Sequence, residues 1–516
     1  MIDPMDLLLI LPEILLALLG LVVLGVDLFY LRRRKPDGAE RSNTLGYIIL
    51  FSVLGVALVN LLVGRSWLLQ RISPQLFAEL SLRTSAFGGA FRADGITQFF
   101  RVVFSLAAAL VVLLSLDRDW GGHEGEYYSL LILSTLGMSL MAGAGELVTI
   151  YVALELTSIS LYLLAAFDFR RRSIEAGLKY FLFGAFSSGI LLYGLSLVYG
   201  FTGETSLQGI ADAIRLLGGG LGGMSQPAGR GLLLGIALLV AGFGFKLALV
   251  PFHAWAPDVY EGAPTPITAL ISTGSKAASF VVVARIFQVA LAGAAGNAQW
   301  AKWQGWSGLL ALVAVVTFTT ANLMALPQRN VKRLLAYSSI AHAGYMLIAV
   351  VLGSQEGFQA LFYYLFAYVV TNVGAFAAVI AISRHVGGEE IERFAGLSKR
   401  SLPLAGALTI LLFSLGGIPP LAGFFAKFWL FYATFKAELY WLAVAGLVNT
   451  IVAFYYYLRV LRAVWFDPPA EDTPVVAGDA VSVVLLVTSF LVIAIGILPH
   501  WVLRLLEGAV RALLPG

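Results

Sequence analysis

Long apolar runs separated by short polar stretches fill this sequence from end to end. A helix needs about 20 apolar residues to cross a bilayer, and that rule predicts an all-α polytopic membrane protein with fourteen transmembrane helices. The predicted spans lie at 6–31, 44–64, 98–117, 126–143, 147–168, 174–200, 231–257, 264–290, 305–326, 331–353, 356–383, 402–436, 438–466 and 479–507. The fourth and fifth spans almost touch at Ala144 and Gly145, where one long helix is the alternative.

Prolines interrupt two of these spans. Pro251 lies inside the seventh span, and Pro419 and Pro420 lie inside the twelfth. Proline lacks a backbone donor and clashes with the carbonyl four residues earlier, so we expect regular helical bonding to fail over 246–253 and over 415–423. Open backbone at membrane depth is tolerated only where protein buries it or water lines it. The pattern therefore predicts two broken helices, each with a polar half-site.

The two breaks are five spans apart, which suggests an internal repeat. Spans four to eight and nine to thirteen then form equivalent units, and an odd number of spans makes the second unit inverted, as in many secondary transporters. The predicted organisation is an N-terminal three-helix segment at 1–125, repeats at 126–290 and 305–466, and a C-terminal helix at 479–516.

Composition supports this class and excludes several others. The chain is 59% hydrophobic and 12% charged, whereas soluble domains are about 25% charged. It has no cysteine, which excludes disulfides, thiolate zinc sites and iron–sulfur clusters. No nucleotide-binding glycine motif occurs, and the glycine-rich run 218–223 is predicted to be a flexible connection. Residues 7–30 lack a preceding basic region, so we expect a retained first span rather than a cleaved signal peptide.

Basic residues in the connections predict the orientation. The connections after odd-numbered spans hold 18 lysines and arginines, against 11 on the opposite side. Cytoplasmic connections carry the excess of basic residues, so both termini are predicted to be external.

Ionisable residues inside the spans are the main functional signal. A charge at the bilayer centre costs ~2.5–3.5 kcal/mol on insertion scales, and such residues are usually functional. The candidates are Glu155, Lys179, Lys246, Lys276, His342 and Lys427. A salt-bridged or snorkelling structural residue is the alternative for each of them, and it is the favoured interpretation for Arg285 and Asp27. Lysines in a partly wet core exchange protons when burial and a nearby carboxylate oppose each other, so the predicted chemistry is ion or proton translocation.

Three motifs carry a resemblance to a known family. They read GFKLALVPFHAWAPDVYEGAPTP at 244–266, AYSSIAHAGY at 336–345 and GGIPPLAGF at 416–424. The sequence resembles the antiporter-like membrane subunits of respiratory complex I from about 126 to 462. These are related to subunits of multi-component sodium/proton antiporters. The family has three members, called the L, M and N types. This sequence resembles the N type in three features: the run PDVYEGAPTP, the lysine at 427, where the M type has glutamate, and the single span after Arg462.

The resemblance implies a role for each candidate residue. Glu155 and Lys246 match a charge pair that gates proton movement, Lys276 matches a central relay, and Lys427 matches the exit toward the outside. Lys179 and His342 match auxiliary or connecting positions. A fold of fourteen helices with two inverted five-helix repeats is implied as well.

The resemblance also implies a setting. The chain would be a proton-translocating subunit of an NAD(P)H- or ferredoxin:quinone oxidoreductase, with no redox chemistry and no cofactor or metal of its own. Flavin, iron–sulfur clusters and quinone would belong to partner subunits. M-type and K-type subunits are the expected neighbours in a bacterial inner membrane, with a thylakoid membrane as the alternative, and no nucleic acid is bound. A subunit of a cation/proton antiporter and a scaffold that moves no ions are the other interpretations.

Overall fold

The computed structural model describes residues 3–31, 43–63, 83–216, 227–300, 302, 304–469, 471 and 473–511. The basic connection at 32–41 and the glycine-rich run at 218–223 lie outside the described residues, so the predictions made for them stay predictions.

Helices make up nearly all of the described chain. They are α1 (Pro4–Leu9), α2 (Leu11–Val26), α3 (Thr44–Val63), α4 (Gly95–Ser115), α5 (Glu124–Gly143), α6 (Leu147–Ala165), α7 (Arg171–Thr202), α8 (Leu207–Leu216), α9 (Pro227–Leu247), α10 (Trp255–Gly262), α11 (Thr265–Leu270), α12 (Lys276–Arg285), α13 (Gly305–Ala325), α14 (Val331–Leu352), α15 (Gln355–Val386), α16 (Leu397–Arg400), α17 (Leu402–Gly416), α18 (Ala422–Lys436), α19 (Tyr440–Trp465), α20 (Asp479–Ile497) and α21 (Pro499–Arg511). Short π-helical turns continue α2, join α11 to α12 and follow α12, at Asp27–Leu31, Ile271–Ser275 and Ile286–Ala290. Two short antiparallel strands, β1 (Ser85–Ala86) and β2 (Phe91–Arg92), precede α4. The predicted all-α polytopic class is confirmed.

Twelve stretches of helix in the described part of the chain are long and apolar enough to cross a membrane. Two of the fourteen predicted spans have no counterpart among them. The fourth predicted span corresponds to α5. This helix packs against protein and carries buried hydroxyl side chains, including Ser129, Ser134 and Ser139, which make it less apolar. The α17–α18 pair stands at the twelfth span, where each half is only 15 residues long. The count of fourteen and the repeat boundaries therefore stay predictions.

The fourth and fifth predicted spans are separate helices. α5 ends at Gly143, Ala144 adopts an extended conformation, and α6 begins at Leu147. Gly145 lies so close to the carbonyl of Gly89 that an added Cβ would be 2.2 Å from that oxygen. The strand hairpin therefore packs directly against this turn, and one continuous helix is excluded.

Both predicted helix breaks are confirmed. α9 ends at Leu247 and α10 begins at Trp255, while α17 ends at Gly416 and α18 begins at Ala422. Each break includes a cis X–Pro peptide bond, Val250–Pro251 in one and Pro419–Pro420 in the other.

The centre of the molecule is formed by helices that have almost no outward surface. The spans over α14, α15 and the α11–α12 segment are 100%, 94% and 94% buried. α14 is fixed at its start by Asn330, whose side chain accepts hydrogen bonds from the amides of Lys332 and Arg333. Polar side chains on these helices consequently face protein rather than lipid.

Two buried ion pairs hold the N-terminal helices, one within that segment and one to the rest of the molecule. Arg101 of α4 contacts Glu13 of α2 at 2.6 Å, and Arg285 at the end of α12 contacts Asp94 at 2.8 Å. Burial raises the pKa of the Asp94 carboxyl, but the neighbouring Arg285 guanidinium outweighs it and holds that pKa below its usual range. Arg285 is thus a buried, ion-paired residue, in keeping with the structural role expected for it. Asp27 is buried as well.

Candidate functional site

Lys246 is buried at the last turn of α9 and points at α6. Its Nζ donates to Ser158 Oγ at 2.5 Å and to the Tyr162 hydroxyl at 2.9 Å. Ser158 and Tyr162 follow Glu155 by three and seven residues, and this spacing places all three on one face of a helix. These three residues therefore form a polar strip on the face of α6 that is opposite Lys246.

Glu155 is linked to Lys246 through hydroxyl groups. Glu155 Oε1 accepts a 2.5 Å hydrogen bond from Ser188 Oγ of α7, and the side chains of Ser188 and Ser158 lie beside Tyr162. No direct ion pair between Glu155 and Lys246 occurs among the described residues. The pair implied by the resemblance shares one polar interior here, but Ser188 and Tyr162 stand between its two members.

The helix break beside Lys246 exposes backbone groups that protein atoms then satisfy. Ala248 adopts a left-handed φ of 57°, and the Phe245 carbonyl accepts from Trp255 Nε1 at 3.0 Å. The Val250 amide donates to Thr317 Oγ1 at 3.1 Å. Since an unpaired backbone group at membrane depth costs several kcal/mol, these bonds keep the break stable.

Two tyrosines connect the Lys246 half-site to Lys276. The rings of Tyr162 and Tyr180 meet edge to face at 4.6 Å between centroids, and the Tyr180 side chain lies near Ser275. Ser275 immediately precedes Lys276 and ends the π-helical turn between α11 and α12.

Lys276 is buried at the centre of the molecule. Its Nζ donates to Ser339 of α14 twice, to the hydroxyl at 2.5 Å and to the carbonyl at 2.9 Å. The same hydroxyl lies 3.2 Å from the Tyr260 hydroxyl of α10. Lys276 thus contacts the fully buried helix α14 and, through Ser339, the helix α10 that follows the first break.

His342 lies one turn beyond Ser339 on α14 and is held by two tyrosines. Its Nδ1 is 2.8 Å from the Tyr364 hydroxyl and its Nε2 is 3.3 Å from the Tyr457 hydroxyl. Tyr457 in turn lies 2.5 Å from Ser338 Oγ. On α14, His342 lies between Ser339, which accepts from Lys276, and Tyr345, whose ring centre is 5.4 Å from Lys427 Nζ. The histidine therefore occupies the space between the two lysines.

Lys427 lies against the second helix break. Its Nζ donates to the last carbonyls of α17, those of Leu415 at 2.9 Å and Gly416 at 3.2 Å, and it stands 5.4 Å from the centre of the Tyr345 ring. A cavity of about 430 Å³ reaches the lysine, and its aromatic walls include the exposed rings of Phe428 and Tyr432. Lys427 consequently lines a cavity that also reaches the exposed face of α18.

Lys179 belongs to a different environment. It is about 39% exposed and pairs with Asp258 at 2.9 Å and Glu175 at 3.0 Å. Arg333 joins the same cluster by contacting Asp258 at 2.7 Å and Glu261 at 2.8 Å. The structure places Lys179 in a surface ion cluster around α10, away from the other candidates.

The polar axis is defined by five of the predicted residues: Glu155, Lys246, Lys276, His342 and Lys427. Sequence reasoning missed the neutral groups that join them, namely Ser158, Tyr162, Tyr180, Ser188, Ser339, Tyr364 and Tyr457. Their signal in the sequence is weak, since single hydroxyls are common in transmembrane helices. Only the spacing of Ser158 and Tyr162 from Glu155 could have indicated them. Within the described residues no group of three or more metal-ligating side chains occurs.

Comparison with known proteins identifies similar sequences over nearly the full length. Residues 144–453 match the family described as NADH:quinone oxidoreductase/Mrp antiporter, transmembrane. The chain is 41% identical to NADH-quinone oxidoreductase subunit N 1 of Roseiflexus castenholzii over 517 residues, covering 95% of each protein. It is 38% identical to NADH-quinone oxidoreductase subunit N of Dehalococcoides mccartyi, covering 98% of this chain and 99% of that one.

Solved structures agree with these relatives. A chain of respiratory complex I from Thermus thermophilus with bound aureothin has a TM-score of 0.73 at 32% identity, covering 97% of this chain and 98% of that chain. A chain of the Mrp complex from Dietzia has a TM-score of 0.80 at 21% identity, covering 99% and 97%. The second likeness concerns the fold alone.

Proposed function

Because the chain belongs to the NADH:quinone oxidoreductase/Mrp antiporter family, and within it to the N-type, antiporter-like subunits of complex I, we propose that it carries protons along the polar axis. In this proposal Glu155 and Lys246 gate the transfer, Lys276 relays it, and Lys427 releases the proton toward the outside.

The observation that carries this proposal is that the buried polar side chains contact one another along the axis. Lys246 donates to Tyr162, the Tyr162 and Tyr180 rings are in contact, and Lys276 donates to Ser339, one turn from His342. Proton transfer needs donor and acceptor within hydrogen-bond reach or joined by one water, so in this proposal water joins the groups that are only in ring contact. A wet interior shared by several ionisable groups also lowers the cost of keeping each of them in the membrane.

The setting of the chain is part of the proposal. Neighbouring M-type and K-type subunits would flank it in a bacterial inner membrane, or in a thylakoid membrane as the alternative, with both termini external. Flavin, iron–sulfur clusters and quinone would lie in other subunits, and Lys179 would have an auxiliary role at the surface.

The test replaces axis residues in the complete complex and reconstitutes it into liposomes. We expect Lys246→Ala and Glu155→Ala each to lower proton pumping per electron sharply while assembly is preserved. Lys276→Arg should also impair pumping, because a guanidinium stays protonated and cannot relay. The measurement is the internal acidification of the liposomes relative to the rate of donor oxidation.

A matched control is Lys436→Ala. Lys436 is an exposed lysine paired with Glu356 at the end of α18, so its loss should leave pumping unchanged. A complex that pumps at the wild-type stoichiometry with Lys246 and Lys276 both replaced by alanine would rule out the axis and leave a scaffold.

The relation to Mrp antiporters supports a second candidate, a subunit that exchanges a cation for protons. Sodium/proton exchange by the chain purified with its Mrp-like partners, in the absence of any electron donor, would favour it. Failure of exchange together with donor-dependent pumping favours the first proposal.

A further inference from the structure

A groove of about 770 Å³ follows the outer surface between α17 and α19. Thr409 and Phe413 form one wall, and Tyr455, Arg459 and Arg462 lie along the other. Tyr455 is 62% exposed, so this groove opens outward rather than into the polar axis. Most of its lining is apolar, with the charges confined to α19.

Two arginines lie on the same face of α19 within its last two turns. They are three residues apart, the spacing of neighbours on a helix surface, and α19 ends at Trp465. Tryptophan and arginine at the end of a transmembrane helix are typical of the membrane–water interface. The indole of Trp465 donates to Thr409 Oγ1 at 2.9 Å and fixes this end of the groove.

The positive charge of these arginines is poorly neutralised by the described chain. Arg459 donates to two uncharged acceptors, the carbonyls of Leu326 and Gln328, and its buried Nε has no hydrogen-bond partner. The one described ion pair of Arg462 is a 3.7 Å contact with the side chain of Asp467. The exposed guanidinium of Arg462 fits a phosphate, which accepts charge-assisted hydrogen bonds.

We propose that this groove is a binding site for an anionic phospholipid of the surrounding membrane. The phosphate contacts the exposed guanidinium of Arg462, Arg459 adds positive charge beside it, and one acyl chain lies along Phe413 and Tyr455. Both parts of the assignment rest on complementarity: apolar walls fit the acyl chain, and two poorly neutralised arginines in the last two turns of α19 fit the phosphate. This site lies outside the proton pathway and does not depend on it.

The test uses the complete complex in nanodiscs that contain photoactivatable phosphatidylglycerol or photoactivatable phosphatidylcholine. After irradiation, the labelled peptides of this chain are mapped by mass spectrometry. We expect peptides of α17 and α19 to be labelled at least several-fold more by phosphatidylglycerol. Arg462→Gln should reduce this preference to near unity, and Arg462→Lys should keep most of it because the charge is retained.

Arg171→Gln is the matched control, since Arg171 is an exposed arginine at the start of α7 and far along the chain from the groove. It should leave the preference unchanged. Equal labelling by the two lipids in the unmodified complex would overturn the proposal. So would an unchanged preference in Arg462→Gln, or no labelling of α17 and α19 because another subunit covers the groove.

Discussion

At the scale of single residues, hydroxyl and carbonyl oxygens are the nearest partners of the buried lysines. Lys246 contacts Ser158 and Tyr162, and Lys276 contacts Ser339. The lysines were predictable because a charge inside an apolar run is conspicuous. Their partners were not, because a hydroxyl carries no such signal and the contacts join residues more than 60 positions apart along the chain.

Tyr162 is a direct partner of Lys246 that the sequence analysis did not predict. We expect Tyr162→Phe to slow the transfer between Glu155 and Lys246, since it removes one hydroxyl and changes no charge. A hydrogen bond to a charged group contributes about 1.5–3 kcal/mol, which corresponds to a roughly 10- to 100-fold slower step if the bond is needed there. Proton pumping per electron in reconstituted complexes measures the effect.

Tyr193→Phe serves as its control, because Tyr193 is an exposed tyrosine of α7 and should tolerate the change. Wild-type coupling in Tyr162→Phe would mean that the Ser188 and Ser158 hydroxyls, or water, carry the connection without the phenol.

At the scale of helices, the breaks were predictable and their surroundings were not. Proline chemistry alone located both interruptions within a few residues. Sequence could not show that α5 and α6 are separated by a turn packed on the strand hairpin, because the close contact of Gly145 with the Gly89 carbonyl is tertiary. Nor could it reveal the ion pairs that join α2 to α4 and Asp94 to α12.

The Asp94–Arg285 pair provides a test of how the N-terminal helices are held. Removing one partner of a buried pair costs about 3–5 kcal/mol because the other charge is left unpaired. Asp94→Asn should therefore lower the thermal stability of the detergent-solubilised complex by several degrees, measured by fluorescence-detected size-exclusion chromatography after heating.

The comparison for that test is Asp3→Asn. Asp3 pairs with Arg83 at 2.5 Å, but both side chains are about 40% exposed, and exposed pairs contribute about 0–1 kcal/mol. Equal stability of the two variants would show that the buried pair does not hold the N-terminal helices in place.

At the scale of the whole molecule, hydropathy predicted an all-α membrane protein, but it could not predict which helices are buried inside the protein. The fully buried α14 and the outer α7 have similar mean hydropathy, yet the first has no surface for lipid. That distinction depends on which helices pack together, and an apolar run is compatible with either position. The inverted repeat and the number of crossings therefore remain predictions to be tested by orientation.

Orientation can be tested directly with reporter fusions. Reporters inserted at 170–172 and at 391–400 should both read cytoplasmic, and reporters at the two termini should read external, because the basic residues concentrate on one predicted side. Activity of a cytoplasmic reporter such as green fluorescent protein, set against a periplasm-specific phosphatase, measures each site. If 170–172 and 391–400 fall on opposite sides of the membrane, the predicted number of spans between them is wrong.

The contact of Lys427 with the last carbonyls of α17 has a consequence for the direction of transfer. The carbonyl end of a helix carries a partial negative charge of about half an elementary charge, and that charge cannot be neutralised by protonation. Glu155, near the other end of the axis, is a carboxylate that accepts from Ser188. The proposed pathway therefore has a side-chain carboxylate at one end and a fixed helix dipole at the other, and it is electrically asymmetric.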